Sequence, residues 1–412
     1  MNQNAHEPGS LPVPGADALA ASAALGALVR EEIAAAGGWL PFDRYMERAL
    51  YAPRLGYYSG GARKFGLYAE DGSDFVTAPE LSPLFAQTLA RAVAEALAAS
   101  GTRALIEFGA GTGKLAAGLL GALDALGVDI ESYSIVELSG ELRERQRATI
   151  EAQAGALAAR VRWLDSLPTH FEGVAVGNEV LDAMPVKLFA RKAGVWHERG
   201  AAVLGDGRLG FEDRPLGDEP GAVGLSAYDA AALAAVDAET DTGAGTGADY
   251  VTETHAAAAA FTRTVCSMLG RGAAFFIDYG FPRHEYYHLQ RAEGTLICHY
   301  RHRSHGDPFF YPGLQDITAH VEFTAIAEAG VETGADLLGY TSQARFLMNA
   351  GVVEVLAGID PADTARYLPA ANAVQKLVSE AEMGELFKVI AFSRGLDTTI
   401  AAFGRGDRSH TL

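Results

Sequence analysis

The chain has 412 residues, a formal net charge of −19 at pH 7 and two cysteines. This length can bury roughly three quarters of the unfolded surface, which is enough for one large domain or two ordinary ones. The negative charge argues against a nucleic-acid partner, because phosphate neutralisation needs clustered Lys and Arg, and it suits a cationic protein substrate. Cys266 and Cys298 provide neither a disulfide framework nor zinc-ligand spacing, so we predict a reducing compartment and no metal site.

The amino-terminal residues 1–24 lack the basic segment and long apolar core of a secretory signal, and they carry Glu7 and Asp17. They do not have the Arg-rich composition of a transit peptide either. No uninterrupted apolar run approaches the ~20 residues that a membrane span requires. We therefore expect a cytoplasmic protein without membrane insertion. The oligomeric state does not follow from the sequence.

The predicted elements indicate the α/β class, because strands and helices alternate through the middle of the chain. We expect a Rossmann-like sheet that is mostly parallel, with an antiparallel last strand, and a smaller, mainly helical lobe. The predicted segments in chain order are a disordered tail (1–20), a helical segment forming part of a cap (21–101), a ligand-binding core (102–290) with a surface insertion (about 200–250), a region that completes the cap and the sheet (291–395), and a second tail (396–412).

A glycine-rich segment lies between a predicted strand and a predicted helix. Ile106 to Lys114 is Ile-Glu-Phe-Gly-Ala-Gly-Thr-Gly-Lys, and such a turn lets the backbone approach a small ligand at a helix N-terminus. The dinucleotide fingerprint lacks its third glycine here, and a phosphate-binding loop would need a hydroxyl residue in place of Leu115. The pattern that remains is typical of loops that hold the methionine part of S-adenosylmethionine, although glycines also serve to pack a helix closely on a strand. The predicted cofactor-binding residues of this segment are Glu107, Gly109, Gly111 and Gly113.

Polar residues follow the next strands in the order that a doubly wound sheet requires. Glu137 ends the second strand, where a carboxylate accepts hydrogen bonds from ribose hydroxyls; alternatively, it caps the helix that begins near Ser139. Asp165 follows the third strand, where it would accept from the adenine amino group or lie in a solvated turn. The predicted cofactor-binding set is completed by Ser166, Asn178, Thr77 and Pro79.

Several segments together resemble the MidA-like methyltransferases over about residues 40–395. The matching motifs, besides the glycine segment, are Met46-x3-Leu50-Tyr51-x-Pro53-x2-Gly56-Tyr57-Tyr58, Asp74-Phe75-x-Thr77-Ala78-Pro79-Glu80-Leu81-Ser82, Asn178-Glu179-x2-Asp182-Ala183-x-Pro185, Ile277-Asp278-Tyr279-Gly280 and Gln315-Asp316-Ile317-Thr318-Ala319-His320-Val321. The resemblance implies the class I methyltransferase fold with S-adenosylmethionine as cofactor. Mitochondrial members act on an arginine in a core subunit of respiratory complex I and serve its assembly, whereas the substrates of bacterial members do not follow from the similarity. Ser73 and Glu322 depart from the family pattern, which has Gly and Asp at these positions.

An arginine acceptor would need carboxylates, because its guanidinium stays protonated near neutral pH and must be oriented and deprotonated. We predict Glu179 and Asp182, which follow the fourth strand, as the main catalytic residues, with Glu80 beside the cofactor. Asp278, at the end of the fifth strand, is a further candidate, or else a cap for the turn at Gly280. His320 lies in a predicted helix, where a histidine is more often packed and hydrogen-bonded than catalytic.

Several functions remain open at this point. The leading hypothesis is a protein arginine methyltransferase that uses S-adenosylmethionine. The alternatives are a non-catalytic assembly factor that keeps the cofactor as a structural ligand, and a methyltransferase for a small molecule. The intact Glu80, Glu179 and Asp182 favour an enzyme, and Lys114 and Leu115 disfavour a dehydrogenase.

Overall fold

The structure, a computed structural model, describes residues 11–59, 76–217, 223–240 and 249–412. The predicted motif residues Ser73, Asp74 and Phe75 lie outside the described residues, as do the first ten residues of the predicted tail. The chain forms two compact units. The first unit comprises 1–75, 182–258 and 282–322, and the second comprises 76–181, 259–281 and 323–412.

The helices of the described residues are α1 (Ala16–Ala35), α2 (Phe42–Tyr51), α3 (Ala78–Leu81), α4 (Pro83–Ser100), α5 (Lys114–Ala125), α6 (Gly140–Ala154), α7 (Ala227–Thr240), α8 (Ala256–Met268), α9 (Arg283–Tyr286), α10 (Phe323–Val331), α11 (Gln343–Asn349), α12 (Val352–Ala357) and α13 (Thr364–Val378). None of them has the length and apolar character needed to cross a membrane.

The strands of the described residues are β1 (Trp39–Pro41), β2 (Ala104–Phe108), β3 (Ser132–Val136), β4 (Val161–Leu164), β5 (Phe171–Asn178), β6 (Lys187–Lys192), β7 (Val195–Val203), β8 (Leu209–Pro215), β9 (Tyr250–Thr254), β10 (Leu269–Phe281), β11 (Ile297–Tyr300), β12 (Arg303–His305), β13 (Asp316–Thr318), β14 (Val321–Glu322), β15 (Asp336–Ser342) and β16 (Phe387–Arg394).

A sheet with the strand order β15-β16-β10-β5-β2-β3-β4 forms the centre of the second unit. Strands β10, β5, β2, β3 and β4 are parallel to one another, whereas β16 runs antiparallel to both β10 and β15. Strands β2, β3, β5 and β10 are largely buried and apolar, as expected for a sheet covered by helices, whereas the edge strand β4 is mostly half-buried. The predicted α/β class is confirmed. All the parallel strands end at the same edge, which is where such sheets bind ligands.

Helices α4 and α5 contribute to the core that covers this sheet. Ser82 caps α4, its hydroxyl oxygen accepting from the backbone N–H of Leu84 at 3.2 Å, and Gly101 ends the helix in the left-handed conformation with φ 67°. Helix α4 of the predicted cap segment 21–101 thus belongs to the second unit, with the sheet. Its many buried alanines and leucines require a large apolar partner surface.

The carboxyl-terminal segment 396–412 is also part of this core rather than a tail. Phe403 is buried, and its ring centroid lies 5.4 Å from that of Phe346 and 6.4 Å from that of Phe275. Ile400 is fully buried as well. Two large apolar side chains in a short segment provide enough buried surface to hold it on the sheet.

The first unit has two sheets, so the prediction of a mainly helical lobe was wrong. One sheet has the order β1-β7-β6-β9 with β8 beside β7, and all of these pairs are antiparallel; the other has the order β12-β11-β13. The predicted insertion at about 200–250 is not an isolated surface excursion, because β7, β8 and β9 are strands of the larger sheet. Helix α1 begins at Ala16, within the predicted tail.

Candidate functional site

Three glycines shape the loop that joins β2 to α5. Gly109, Gly111 and Gly113 have φ angles of 64°, 51° and 86°, in the left-handed region that glycine adopts without a steric penalty. Gly113 directly precedes α5, so the loop ends at the N-terminus of a helix. Unpaired N–H groups there favour a polar or anionic ligand group.

The same glycines allow close packing. A Cβ atom on Gly109 would lie 2.9 Å from Val180 Cγ2, and one on Gly113 would lie 3.0 Å from Gln146 Cα. The loop is thus held between the turn that follows β5 and helix α6. The two roles of the glycine pattern, ligand approach and close packing, are therefore compatible in this loop.

Glu107 lies inside the sheet at the end of β2. Its carboxylate is 1% exposed and accepts a hydrogen bond of 2.6 Å from the Tyr133 hydroxyl on β3. Burial raises the pKa of Glu107 to about 7, and the Tyr133 hydrogen bond opposes that shift. This predicted cofactor residue therefore has a structural partner, and it changes charge near neutral pH.

Glu137 lies just beyond the end of β3. Its Oε1 atom accepts from the backbone N–H of Ser139 at 2.8 Å, and its Oε2 atom accepts from Gln146 Nε2 at 3.1 Å. Ser139 is the N-cap residue of α6, so Glu137 does support the start of that helix. The predicted alternative role of Glu137, to cap this helix, is thus present. Its contact with the ribose hydroxyls stays a prediction.

Asp165 follows β4, the strand next to β3. Arg143 of α6 bridges the two strand ends: its Nε donates to the Glu137 carbonyl at 2.7 Å, and its Nη2 contacts Asp165 Oδ1 at 2.7 Å. The Asp165 side chain is 89% exposed, and Ser166 is exposed beside it. These two predicted residues therefore lie at the accessible end of the same strand edge.

Two polar residues lie where β5 ends: Asn178 is the last residue of the strand, and Glu179 begins the turn that follows. Glu179 has a φ of 53°, which is unusual for a residue other than glycine. Its backbone N–H donates to the Ile277 carbonyl at 2.8 Å, and Asn178 Nδ2 donates to Glu179 Oε1 at 3.0 Å. The carboxylate is thus attached to a backbone that neighbouring groups hold in a strained conformation.

Asp278 of β10 supplies the groups that hold this turn. Its Oδ2 atom accepts from the backbone N–H groups of Val180 at 3.1 Å and Leu181 at 2.9 Å, and its Oδ1 atom accepts from Tyr279 at 2.9 Å. The side chain is fully buried. Asp278 therefore caps the turn that follows β5, and it also accepts from Tyr279, the residue before Gly280.

A short helix contacts the glycine loop from the other side. The Glu80 carboxylate of α3 accepts from Lys114 Nζ at 2.6 Å and from the Thr112 hydroxyl. Thr77 and Pro79 belong to the same short segment. The structure thus places Glu80 in the network of the glycine loop, with Thr77 and Pro79 close to it in the chain.

The part of the site that is described can accommodate S-adenosylmethionine. The Asn178 Oδ1 atom is buried and has no hydrogen-bond partner among the described residues. It lies at the end of β5, whose Gly177 pairs with Phe108 immediately before the glycine loop. A buried acceptor of this kind needs a donor, and the amino group of the methionine part is one. The described residues contain no group of three or more His, Cys, Asp or Glu arranged to hold a metal.

The two remaining catalytic candidates lie in the first unit. The Asp182 carbonyl accepts from the backbone N–H of Ala319 at 3.0 Å, and the His320 N–H donates to Thr295 Oγ1 at 3.0 Å. His320 lies between β13 and β14, so its predicted helical position was wrong; the helix α10 begins at Phe323. The short β-branched run before it favours a strand.

Arg143 and Gln146, which the sequence did not predict as site residues, organise the carboxyl edge of the sheet. The buried positions of α6 are Leu142, Gln146 and Ile150, at helical spacing. A polar residue within an otherwise apolar stripe must find hydrogen-bond partners in the interior. This pattern is the signal that could have identified Gln146.

A sequence profile described as "Putative S-adenosyl-L-methionine-dependent methyltransferase" matches residues 88–341, which is more than half of the chain. Among solved structures, a crystal structure of a "likely methyl transferase" from Burkholderia thailandensis bound to S-adenosyl-homocysteine is 71% identical, with a TM-score of 0.91 over 98% of this chain and 100% of that chain. A native crystal structure from the same organism is 69% identical, with a TM-score of 0.88 over the same shares of the two chains.

Curated proteins provide more distant relatives. The mitochondrial protein arginine methyltransferase NDUFAF7 of Danio rerio is 26% identical over 86% of this chain and 83% of its own length. The NDUFAF7 homolog of Caenorhabditis elegans is also 26% identical, over 76% of this chain and 74% of its own length. The similarity to both therefore extends over most of each chain.

Proposed function

This chain belongs to the family of S-adenosyl-L-methionine-dependent methyltransferases, and on that basis we propose that it methylates an arginine guanidinium of a protein substrate. The observation that carries the proposal is the turn after β5, where the Glu179 carboxylate stands on a backbone held by Asp278. Val180 of this turn packs against Gly109, so the turn adjoins the glycine loop. The names of the curated relatives support the same acceptor.

We assign the cofactor to the carboxyl edge of the sheet in the second unit. The glycine loop and Asn178 would hold its methionine part, Glu137 would accept from the ribose hydroxyls, and Asp165 with Ser166 would lie at the adenine. Thr77 and Pro79 would complete the loop side. When bound, S-adenosylmethionine supplies a methyl group on an electrophilic sulfonium carbon.

Glu179 provides the charge that an arginine acceptor needs. Its carboxylate would pair with the protonated guanidinium, direct one nitrogen at the methyl carbon, and take up the proton that is released as the N–C bond forms and the bond between the methyl carbon and sulfur breaks, its electron pair staying on sulfur. Asp278 acts as a positioning residue in this proposal, because its oxygens are engaged by three backbone N–H groups. Glu80 would act through the loop that it holds.

Groups in the first unit support a cationic acceptor as well. The rings of Tyr51 and Tyr58 stack with centroids 5.5 Å apart, and the Tyr58 hydroxyl donates to Asp316 Oδ1 at 2.9 Å. Burial, and then the charge of Asp316, raise the pKa of Tyr58. Stacked aromatic rings combined with carboxylates are a chemistry that recognises a guanidinium. Asp182 and His320, which also lie in this unit, stay predicted catalytic residues.

The test uses the full chain with methyl-labelled S-adenosylmethionine and a cell extract, followed by mass spectrometry of the labelled proteins. A core subunit of respiratory complex I is the first purified substrate to try. Glu179→Gln should lower transfer by about 10²-fold or more, while the affinity for S-adenosyl-homocysteine stays unchanged. Glu172→Gln is the matched control, because Glu172 lies at the opposite end of β5 and is exposed.

Each outcome separates the hypotheses. Label on arginine that disappears in Glu179→Gln supports the proposal. Label on a small molecule would replace the protein acceptor with a metabolite. Binding of S-adenosyl-homocysteine without transfer to any acceptor would favour a non-catalytic assembly factor. Full turnover by Glu179→Gln would remove that residue from the mechanism.

A further inference from the structure

The side chain of Gln146 is fully buried and uses every hydrogen-bonding group that it has. Its Nε2 atom donates to the Gly111 carbonyl at 3.2 Å and to Glu137 Oε2 at 3.1 Å. Its Oε1 atom accepts from Trp163 Nε1 at 2.8 Å. A single amide thus joins the glycine loop, the carboxylate after β3 and strand β4.

These partners determine the orientation of the amide. The Gly111 carbonyl and the Glu137 carboxylate are acceptors only, and the indole N–H of Trp163 is a donor only. A flipped amide would place its oxygen against two acceptors and its NH₂ group against a donor. The observed orientation is therefore the one that satisfies all three neighbours.

Backbone packing fixes the position of Gln146 relative to the loop. A Cβ atom on Gly113 would lie 3.0 Å from Gln146 Cα and 3.1 Å from its carbonyl oxygen. Helix α6 therefore lies directly against the glycine loop at this residue. On the other side, the guanidinium carbon of Arg147 lies 4.8 Å from the centre of the Trp163 ring, which helps to hold the indole.

We propose that Gln146 is a positioning residue of the cofactor site, which sets the Glu137 carboxylate relative to the carbonyl of Gly111. This inference rests on the proposed contact between Glu137 and the ribose. Gln146 neutralises none of the charge of Glu137, so the carboxylate remains a strong acceptor. It removes the freedom of that carboxylate to turn toward solvent, and so lowers the entropy lost when the ribose binds.

The experiment measures dissociation constants by calorimetry for S-adenosyl-homocysteine and for its analogue that lacks both ribose hydroxyls. Gln146→Met keeps the length of the side chain and removes both donors. We expect the affinity for S-adenosyl-homocysteine to fall by about tenfold or more, since a hydrogen bond to a charged group is lost. The affinity for the analogue should change less than threefold, because Glu137 makes no ribose contact with it.

Two further variants separate positioning from folding. Gln146→Glu places a carboxylate against Glu137 and against the Gly111 carbonyl. It should lower the affinity for S-adenosyl-homocysteine, relative to the affinity for the analogue, by more than Gln146→Met does. Thr149→Val is the control on the same helix, where one hydrogen bond to the Arg145 carbonyl is removed. Thermal unfolding without ligand confirms that each variant is folded before its affinities are compared.

The outcomes distinguish this inference from the function on which it rests. If the natural protein binds the two ligands equally, the ribose role of Glu137 fails, and the inference fails with it. If the natural protein discriminates and both Gln146 variants retain the full discrimination, the inference alone is overturned. An equal loss for both ligands would mean that Gln146 only supports the loop, which also overturns it.

Discussion

Two turns lie side by side at the carboxyl edge of the sheet, and they reach similar backbone conformations by different means. The loop after β2 has its left-handed positions at Gly109, Gly111 and Gly113, where the residue type removes the steric penalty. The turn after β5 has Glu179 in the left-handed region. There the conformation depends on Asp278, which reaches the turn from β10.

The difference shows which turn must carry a side chain. The loop after β2 approaches its ligand with backbone groups, so glycine is sufficient. The turn after β5 must present a carboxylate, and that requirement excludes glycine at Glu179. Non-glycine residues in this region cost of order 1–3 kcal/mol and persist only where the surroundings hold them. Asp278 is the part of the surroundings that does so.

The largest effect is expected from removal of that support. Asp278→Ala leaves the N–H groups of Val180, Leu181 and Tyr279 without their acceptor, and should lower the free energy of unfolding by roughly 4 kcal/mol. Chemical denaturation measures this change in the free energy of unfolding. Asp278→Asn retains one oxygen and should lose less than half as much. The exposed Asp336 of the same sheet is the control: Asp336→Ala should be nearly neutral.

A small effect of Asp278→Ala would mean that the two turns do not differ in the way proposed. The conformation of Glu179 would then be maintained by its own N–H bond to the Ile277 carbonyl. Methyl transfer gives a second measurement on the same variants. The rate of methyl transfer should fall more in Asp278→Ala than in Asp278→Asn. The affinity for S-adenosyl-homocysteine should fall less than the rate in both variants.

The second prediction concerns the strand before the glycine loop. The pKa of Glu107 is raised from 4.5 to about 7 by burial, so the folded protein keeps a proton that the unfolded chain has already released. The stability that this proton confers is complete below pH 4.5 and is lost as the pH rises through about 7. The loss amounts to roughly 3 kcal/mol.

Glu107→Gln tests this expectation, because the amide oxygen can still accept from Tyr133 while the titration is removed. Unfolding free energies measured from pH 4.5 to 8 should depend on pH by roughly 3 kcal/mol less in the variant than in the natural protein. Glu131→Gln, which removes an exposed carboxylate just before β3, is the control and should leave the pH dependence unchanged. Parallel curves for Glu107→Gln and the natural protein would show that Glu107 is ionised throughout.

The third prediction separates the two roles of the loop glycines. Gly109→Ala combines a left-handed φ of 64° with a Cβ atom 2.9 Å from Val180 Cγ2, whereas Gly101→Ala has a φ of 67° and nothing within 4 Å. Both should lose the roughly 1 kcal/mol that a left-handed alanine costs. Gly109→Ala should lose about 1 kcal/mol more through the clash, and should also weaken S-adenosyl-homocysteine binding. Equal losses would mean that Val180 moves away freely.

The sequence predicted the first turn better than the second for the same physical reason. Closely spaced glycines predict left-handed backbone at their own positions, so the loop between a strand and a helix could be recognised from neighbouring residues. The conformation of Glu179 depends on Asp278, nearly a hundred positions later, and only the parallel pairing of β5 with β10 brings them together. The sequence therefore predicted that Asp278 lies at the end of a strand, but it could not predict that Asp278 holds the turn after β5.

The first unit was predicted less well because its strands pair with partners that are far away in the sequence. Strand β1 pairs with β7 across more than 150 positions, and β6 pairs with β9 across the segment taken for a surface insertion. Alanine and glycine in those strands reduce the alternation that marks a half-buried strand. His320 was placed in a helix for a related reason: the apolar run that continues into α10 hides the two short strands before it.

The smallest effect on the free energy of unfolding is expected at Glu179 itself. Glu179→Gly relieves the left-handed strain but adds freedom to the unfolded chain, whereas Glu179→Ala removes the carboxylate and keeps the strain. The glycine variant should therefore be more stable than the alanine variant by about 1 kcal/mol, with methyl transfer lost in both. If the two unfold alike, the backbone at Glu179 is not strained, and Asp278 has another purpose. If glycine is the more stable, the chain maintains a less stable turn in order to keep a carboxylate beside the cofactor loop.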